Sequence, residues 1–249
     1  MNSLLKYILI GFVQGITEFL PVSSSGHIVL FGSLLDVDNL MLVSIVAHIG
    51  TLFAVLFCYR KRIKELIIHP FNRTNLHLII ATIPTVLIVL LFNSFLEANF
   101  GTKTLIWGFL LSAVALVVAD LKKDGIRVVN KKSAFLMGLS QGCALLPGVS
   151  RSGSTLVCGL LCGVEKEQAL DFSFLMSIPI ILASAVYETI KVIKLQITIA
   201  WLPLFVVLVT SFIFGILSIK IMLKLVKNNK LYYFAIYLIV LSLVLAIFY

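Results

Sequence analysis

The stretch Gly11 to His27, GFVQGITEFLPVSSSGH, returns in altered form 127 positions later as Gly138 to Ser154, GLSQGCALLPGVSRSGS, and the two align without a gap. Gly11, Gln14, Gly15, Val22, Ser23, Ser25 and Gly26 recur as Gly138, Gln141, Gly142, Val149, Ser150, Ser152 and Gly153. Chance agreement in apolar sequence does not fall on glutamine, serine and glycine. Each copy joins a small-residue helical face to a Pro/Ser/Gly break. Broken segments at matching places in two halves point to a binding site buried at membrane depth.

Hydrophobic residues make up 60% of the 249 positions and charged residues only 12%, against about 25% charge in a soluble domain. The chain therefore reads as an all-α integral membrane protein, one membrane domain over residues 1–249 in contact with membrane lipids. Its net charge of +9 would suggest nucleic acid as partner for a soluble protein. Here loops flanking membrane helices account for it, and no nucleic-acid partner is expected. Cys58, Cys143, Cys158 and Cys162 lie in or beside apolar segments. Two thiols on one helix face do not make a zinc site, so small apolar filler is expected. The single lysine before the first apolar run superficially suggests a signal peptide. That run flows into the first motif, so it is expected to belong to the fold.

Residues 3 to 20 read as a helix stopped by Pro21, followed by a Ser-rich turn and a short helix to about Leu35. Each piece is too short to cross a core of about 30 Å, which needs about 20 residues, so a re-entrant hairpin is expected. Spans follow at about Leu40–Tyr59, Leu76–Leu96 with a kink at Pro84, and Lys103–Leu121. The second hairpin covers about Ala134–Gly163, and three further spans about Ala169–Tyr187, Ile199–Met222 and Leu231–Tyr249. Basic clusters at 60–73, 122–132 and 220–230 should face the cytoplasm; the loops near 36–39, 97–103 and 188–198 should lie outside. Six spans and two hairpins satisfy this alternation. Three spans separate the copies, so the halves, approximately 1–125 and 126–249, are expected to form an inverted-topology repeat.

Gly11, Gln14, Gly15 and Glu18 fall at i, i+3, i+4 and i+7, one stripe of a helix. The glycines permit close crossing, and Glu18 is a carboxylate at a depth where charge is costly and marks function. After the break, Ser23, Ser24, Ser25, Gly26 and His27 open one short helix; Ser150, Arg151, Ser152, Gly153, Ser154 and Thr155 open its counterpart. Helix N-termini present free N–H groups and positive dipole ends, and arginine binds phosphate in bidentate fashion. Brought together, the two tips would make a phosphate or pyrophosphate pocket. The copies differ where chemistry would sit: Glu18 aligns with Leu145, Ser24 with Arg151 and His27 with Ser154. A site for phosphoryl transfer needs that split; a symmetric transporter or flippase, the competing class, does not. His48 reads equally as a pocket residue or a hydrogen-bonded core histidine. Gly159, Gly163, Ser211, Gly215 and Ser218 form small packing faces, open also to a homodimer contact.

At QGITEFLPVSSSGH (14–27) and PGVSRSGST (147–155) the chain resembles the undecaprenyl-diphosphate phosphatases associated with bacitracin resistance, and span count and spacing agree along essentially its whole length. The resemblance implies an integral enzyme of the cytoplasmic membrane with its site open to the outer face. It would remove the terminal phosphate of undecaprenyl diphosphate and so recycle the lipid carrier for peptidoglycan. It carries over Glu18, Ser24, His27 and Arg151 as catalytic positions. It also marks Thr155 as functional, with Ser23, Ser25 and Ser150 nearby. With Gly26, Ser152 and Gly153 from the two helix openings, these make up the expected phosphate-binding set. A divalent cation, Mg²⁺ or Ca²⁺, is also implied, bridging Glu18 and the substrate phosphates. Where many relatives carry a second glutamate this chain has Gln14, a weaker ligand for a hard cation.

Overall fold

The computed structural model describes residues 3–98, 102–122, 125–194, 201–228 and 230–248. Among them the regular structure is all helix, apart from one isolated bridge between Arg127 and Val164. The helices are α1 (Ser3–Phe19), α2 (Ser24–Leu34), α3 (Leu40–Cys58), α4 (Arg60–Ile68), α5 (Arg73–Ala98), α6 (Thr102–Asp120), α7 (Lys131–Cys143), α8 (Arg151–Leu161), α9 (Lys166–Lys194), α10 (Trp201–Lys227) and α11 (Tyr232–Phe248). Five of the described helices, α3, α5, α6, α9 and α10, are long and apolar enough to cross a membrane. This is a multi-pass membrane protein, with backbone groups satisfied inside its helices, as hydrocarbon demands. The expected sixth span is α11, an apolar helix of 17 residues, about 25 Å long; Tyr249 lies outside the described residues. So do Lys123, residues 99–101 of the expected loop at 97–103 and residues 195–198 of that at 188–198, while the expected loop residues Glu188 to Lys194 instead continue α9.

The basic run after α3, expected as loop, forms a helix of its own. In α4 the apolar Ile63, Leu66 and Ile67 recur at helical spacing, and Asn75 donates to the carbonyls of Leu66, His69 and Pro70 beyond its end. Lys131 and Lys132, expected in a loop, form the first turn of α7, because Asn130 and Ser133 make a reciprocal capping box there.

The breaks follow from local chemistry. Pro21 offers no N–H and restricts Leu20, so α1 stops at Phe19. In the second copy the stop falls at Pro147–Gly148, where Gly148 takes φ 83° and its Cα faces the Leu105 backbone. A side chain there would be strained and would have no room.

Helix pairing follows the glycines. A Cβ on Gly11 would lie 2.8 Å from Thr210 Cβ, and one on Gly15 2.8 Å from the Ser211 carbonyl, so α1 lies tightly on α10. Gly138 and Gly142 do the same for α7 against Ala81 and Ile88 of α5. Helix α3 packs on α9, and α6 on α11. The main core gathers Phe19, Phe109, Phe174, Leu156, Ile219 and Met222, with Phe19 and Phe174 edge-to-face at 5.3 Å. Phe19, the residue after Glu18, anchors the end of α1 in this apolar cluster.

Candidate active site

Glu18 is the centre of the polar arrangement, its side chain only 1% exposed. Its Oε2 accepts from Ser24 Oγ at 2.6 Å and from Gln14 Nε2 at 2.9 Å, and its Oε1 pairs with the Arg151 guanidinium. Ser24 and Arg151 are the first residues of α2 and α8 and occupy the same position in the two motif copies. The expected meeting of the helix tips is thus observed, around one carboxylate. A buried pair of this kind stands only if its remaining hydrogen-bonding capacity is met; for the carboxylate, Gln14 and Ser24 meet it.

The second hairpin is fastened to the first at its break. Ser152 Oγ donates to the Leu20 carbonyl at 2.9 Å, and a Cβ on Gly153 would lie 3.1 Å from Pro21 Cβ. Ser150 caps α8, accepting from Gly153 N–H at 3.1 Å, while its own N–H donates to Ser112 of α6 at 2.9 Å. These contacts set where Arg151 can reach.

Other members of the expected set lie apart from Glu18. The Nδ1 of His27 is 2.8 Å from the Ser23 carbonyl, which only accepts, so Nδ1 carries the hydrogen; Nε2 then accepts from Tyr237 Oη at 2.6 Å. Both ring nitrogens of the neutral imidazole are therefore committed. Ser23 itself sits at φ 67°, ψ 90°, a costly conformation for a residue with a Cβ and one that concentrates at functional sites. His27 clamps that turn. Thr155 faces α9, bonding Ser173 Oγ at 2.5 Å and the Arg151 carbonyl at 3.0 Å. Ser25 is exposed, and Gly26 lies under the ring of Phe109.

Residues outside the expected site set also enter the arrangement. His48 of α3 directs Nε2 toward Glu18 Oε2 at 3.7 Å. Tyr237, Ser173 and Ser112 hold the expected residues in place. A tyrosine in the apolar run of α11 must find a polar partner for its hydroxyl; that was the one signal available for Tyr237. A cleft of about 530 Å³ at the far end of α3, lined by residues including Tyr59, Arg60, Asp171 and Lys220, contains none of the expected site residues.

The donor set does not by itself make a divalent-cation site. No three His, Cys, Asp or Glu side chains group for a metal among the described residues, and both Glu18 oxygens already accept hydrogen bonds. Gln14 Oε1 is buried and accepts none, but a lone amide oxygen cannot hold Mg²⁺ or Ca²⁺. What the geometry can do is deprotonate a serine and present a guanidinium beside it, the needs of attack on a phosphate.

The family model for bacitracin resistance protein BacA matches residues 7–244. The chain is 39% identical to the undecaprenyl-diphosphatase of Alkaliphilus metalliredigens, over 93% of this chain and 94% of that one. It is 34% identical to the undecaprenyl-diphosphatase of Borrelia recurrentis, over 98% of each chain. The corresponding protein of Staphylococcus haemolyticus is 33% identical, over 98% of this chain and 94% of its own.

Proposed function

Because this chain belongs to the bacitracin resistance protein BacA family, we propose that it is a membrane phosphatase that hydrolyses undecaprenyl diphosphate to undecaprenyl phosphate and inorganic phosphate. The observation that carries this is Glu18 bridging Ser24 of one motif copy and Arg151 of the other. In the reaction Ser24 Oγ attacks the terminal phosphorus and passes its proton to Glu18 Oε2. Arg151 turns from Glu18 to the phosphate oxygens, and the bond to the bridging oxygen breaks with undecaprenyl phosphate as leaving group. The N–H groups opening α2 and α8 add positive potential where charge builds. His27, bound to Ser23 and Tyr237, positions the nucleophile's turn. A divalent cation, Mg²⁺ or Ca²⁺, would be carried by the diphosphate oxygens and would neutralise part of their charge, and the steps are those of the chain's own residues.

The architecture we infer is the inverted-topology repeat with six spans and two re-entrant hairpins. Its support is the pairing of α1 with α10 and of α7 with α5, a pattern that maps onto itself when the halves exchange. The basic clusters support a cytoplasmic side for α4 and the α6–α7 connection and, with it, a site open to the outer face of the cytoplasmic membrane, where the product would return to peptidoglycan synthesis and bacitracin resistance would arise. A homodimer would have to use another surface than the Ser211, Gly215 and Ser218 face, since α1 and α3 fill it. A transporter or flippase would share the repeat but has no use for a serine hydrogen-bonded to a buried carboxylate.

The test is phosphate release from undecaprenyl diphosphate by purified protein in detergent with Mg²⁺ or Ca²⁺. Wild type turns over, while Arg151→Ala and Glu18→Gln each lose at least about 10²-fold. No release from wild type with any divalent ion overturns the assignment.

A further inference from the structure

His48 Nδ1 lies 2.8 Å from the Ser44 carbonyl and so carries the ring hydrogen, leaving Nε2 a lone pair in the neutral imidazole. That lone pair faces Glu18 Oε2, itself an acceptor, at 3.7 Å. Two acceptors so placed repel unless a group with two hydrogens spans them, and the distance is too long for a direct hydrogen bond. A water donating one hydrogen to each would satisfy both, as a third donor to Oε2 beside Ser24 Oγ and Gln14 Nε2. The same Oε2 is 2.6 Å from Ser24 Oγ, so a water held there would lie beside the oxygen that takes up the phosphate. The His48 side chain is 29% exposed against 1% for Glu18, which opens the way for water to enter and a proton to leave. Other charges near the ring come from Arg151, paired with Glu18, and Glu188 of α9. The lysines at the end of α10 and the charges of α4 belong to the far end of α3.

We propose that His48, together with Glu18, holds and deprotonates the water that hydrolyses a phosphoserine formed on Ser24. The water oxygen bonds to phosphorus and gives a proton to His48 Nε2. The bond from phosphorus to Ser24 Oγ breaks, and Oγ regains from Glu18 the proton it lost in the first step. His48 then releases its proton to solvent, and inorganic phosphate leaves. This rests on the phosphatase assignment with Ser24 as nucleophile.

The experiment uses undecaprenyl diphosphate labelled in the terminal phosphate, acid quenching for protein-bound label, and turnover across about pH 5 to 8, the histidine range. His48→Ala should slow turnover by roughly 10²- to 10⁴-fold and accumulate label on Ser24. His48→Gln, which can orient the water but not take its proton, should turn over faster than His48→Ala. It should also lack the rise of rate with pH expected of the wild type, whose His48 must be neutral to take the proton. Wild-type turnover in His48→Ala, no label in its slowed form, or an unchanged pH profile in His48→Gln each overturn the proposal. Inactive wild type, or Ser24→Ala with full turnover, instead overturns the assignment on which it rests.

Discussion

The two hairpins, α1–α2 and α7–α8, share their identical residues for structure and differ where the chemistry sits. Gln14 and Gln141 are both fully packed and both leave Oε1 without a hydrogen bond. Gln14 donates to Glu18 at 2.9 Å, but Gln141 donates to Thr85 at 3.2 Å, since its copy has Leu145 in place of the carboxylate. The glycine pairs do one job twice, seating α1 on α10 and α7 on α5. Even the strain is divided. The second copy places its left-handed turn on Gly148, at no steric cost, and caps α8 with Ser150. The first places it on Ser23, whose side chain caps nothing. Identities between the copies therefore mark what holds the fold, and differences mark what the first copy gave up stability to do.

The largest effect should come from erasing the split. Arg151→Ser gives the second copy the residue type of the first and leaves Glu18 buried without a counter-charge, a loss of about 3–5 kcal/mol. Adding Glu18→Leu gives the first copy the second's leucine and removes the stranded charge. Thermal unfolding in detergent should fall sharply for the single variant and recover for the double, while phosphate release stays at background in both. A double variant as unstable as the single would mean that the ion pair is not what the two copies were divided for.

A smaller effect tests the identities. Gly15→Ala drives a methyl to 2.8 Å from the Ser211 carbonyl and 2.9 Å from Gly215 N, backbone that cannot yield, whereas Gly142→Ala meets the Ile88 side chain, its Cδ1 at 2.6 Å. Overpacking costs about 1–3 kcal/mol, and the α1 variant should sit at the upper end. Its activity should fall as well, because Gly15 lies one turn from Glu18. Equal losses of unfolding temperature would show that the two crossings are equally soft.

How much of this was legible in sequence divides along the same line. The broken helices, the repeat and the Glu18–Ser24–Arg151 grouping could be read because glycine, proline and charge are conspicuous in apolar sequence. The partners of His27 could not, since Tyr237 is 210 positions away and one tyrosine in an apolar helix looks like any other. Thr155 resembled a phosphate ligand because it stands in the motif; its turn toward Ser173 depends on how α8 meets α9. His48 was ambiguous for a physical reason: its Nδ1 does make the core hydrogen bond of a structural histidine, while its other nitrogen faces the site. Helix α4 hid behind its charge, as four basic residues outweighed an apolar spacing only nine residues long.

The smallest effect concerns the two serines at the breaks. Ser150 accepts from Gly153 N–H at 3.1 Å and is the N-cap of α8, so Ser150→Ala should cost about 1 kcal/mol, within 0.5–2. Ser23 makes no such bond. Ser23→Gly relieves a left-handed conformation worth about 1–2 kcal/mol and gives back about 0.5–1 through the freer unfolded chain, for a net change between zero and slightly stabilising. Unfolding temperatures should therefore move in opposite directions, or one should move while the other stays. Phosphate release should fall in Ser23→Gly all the same, because a glycine there loosens the turn that aims Ser24 at the phosphate. A Ser23→Gly chain less stable than Ser150→Ala would mean that the first break is held by its side chain after all, and that its strain was not surrendered for the position of Ser24.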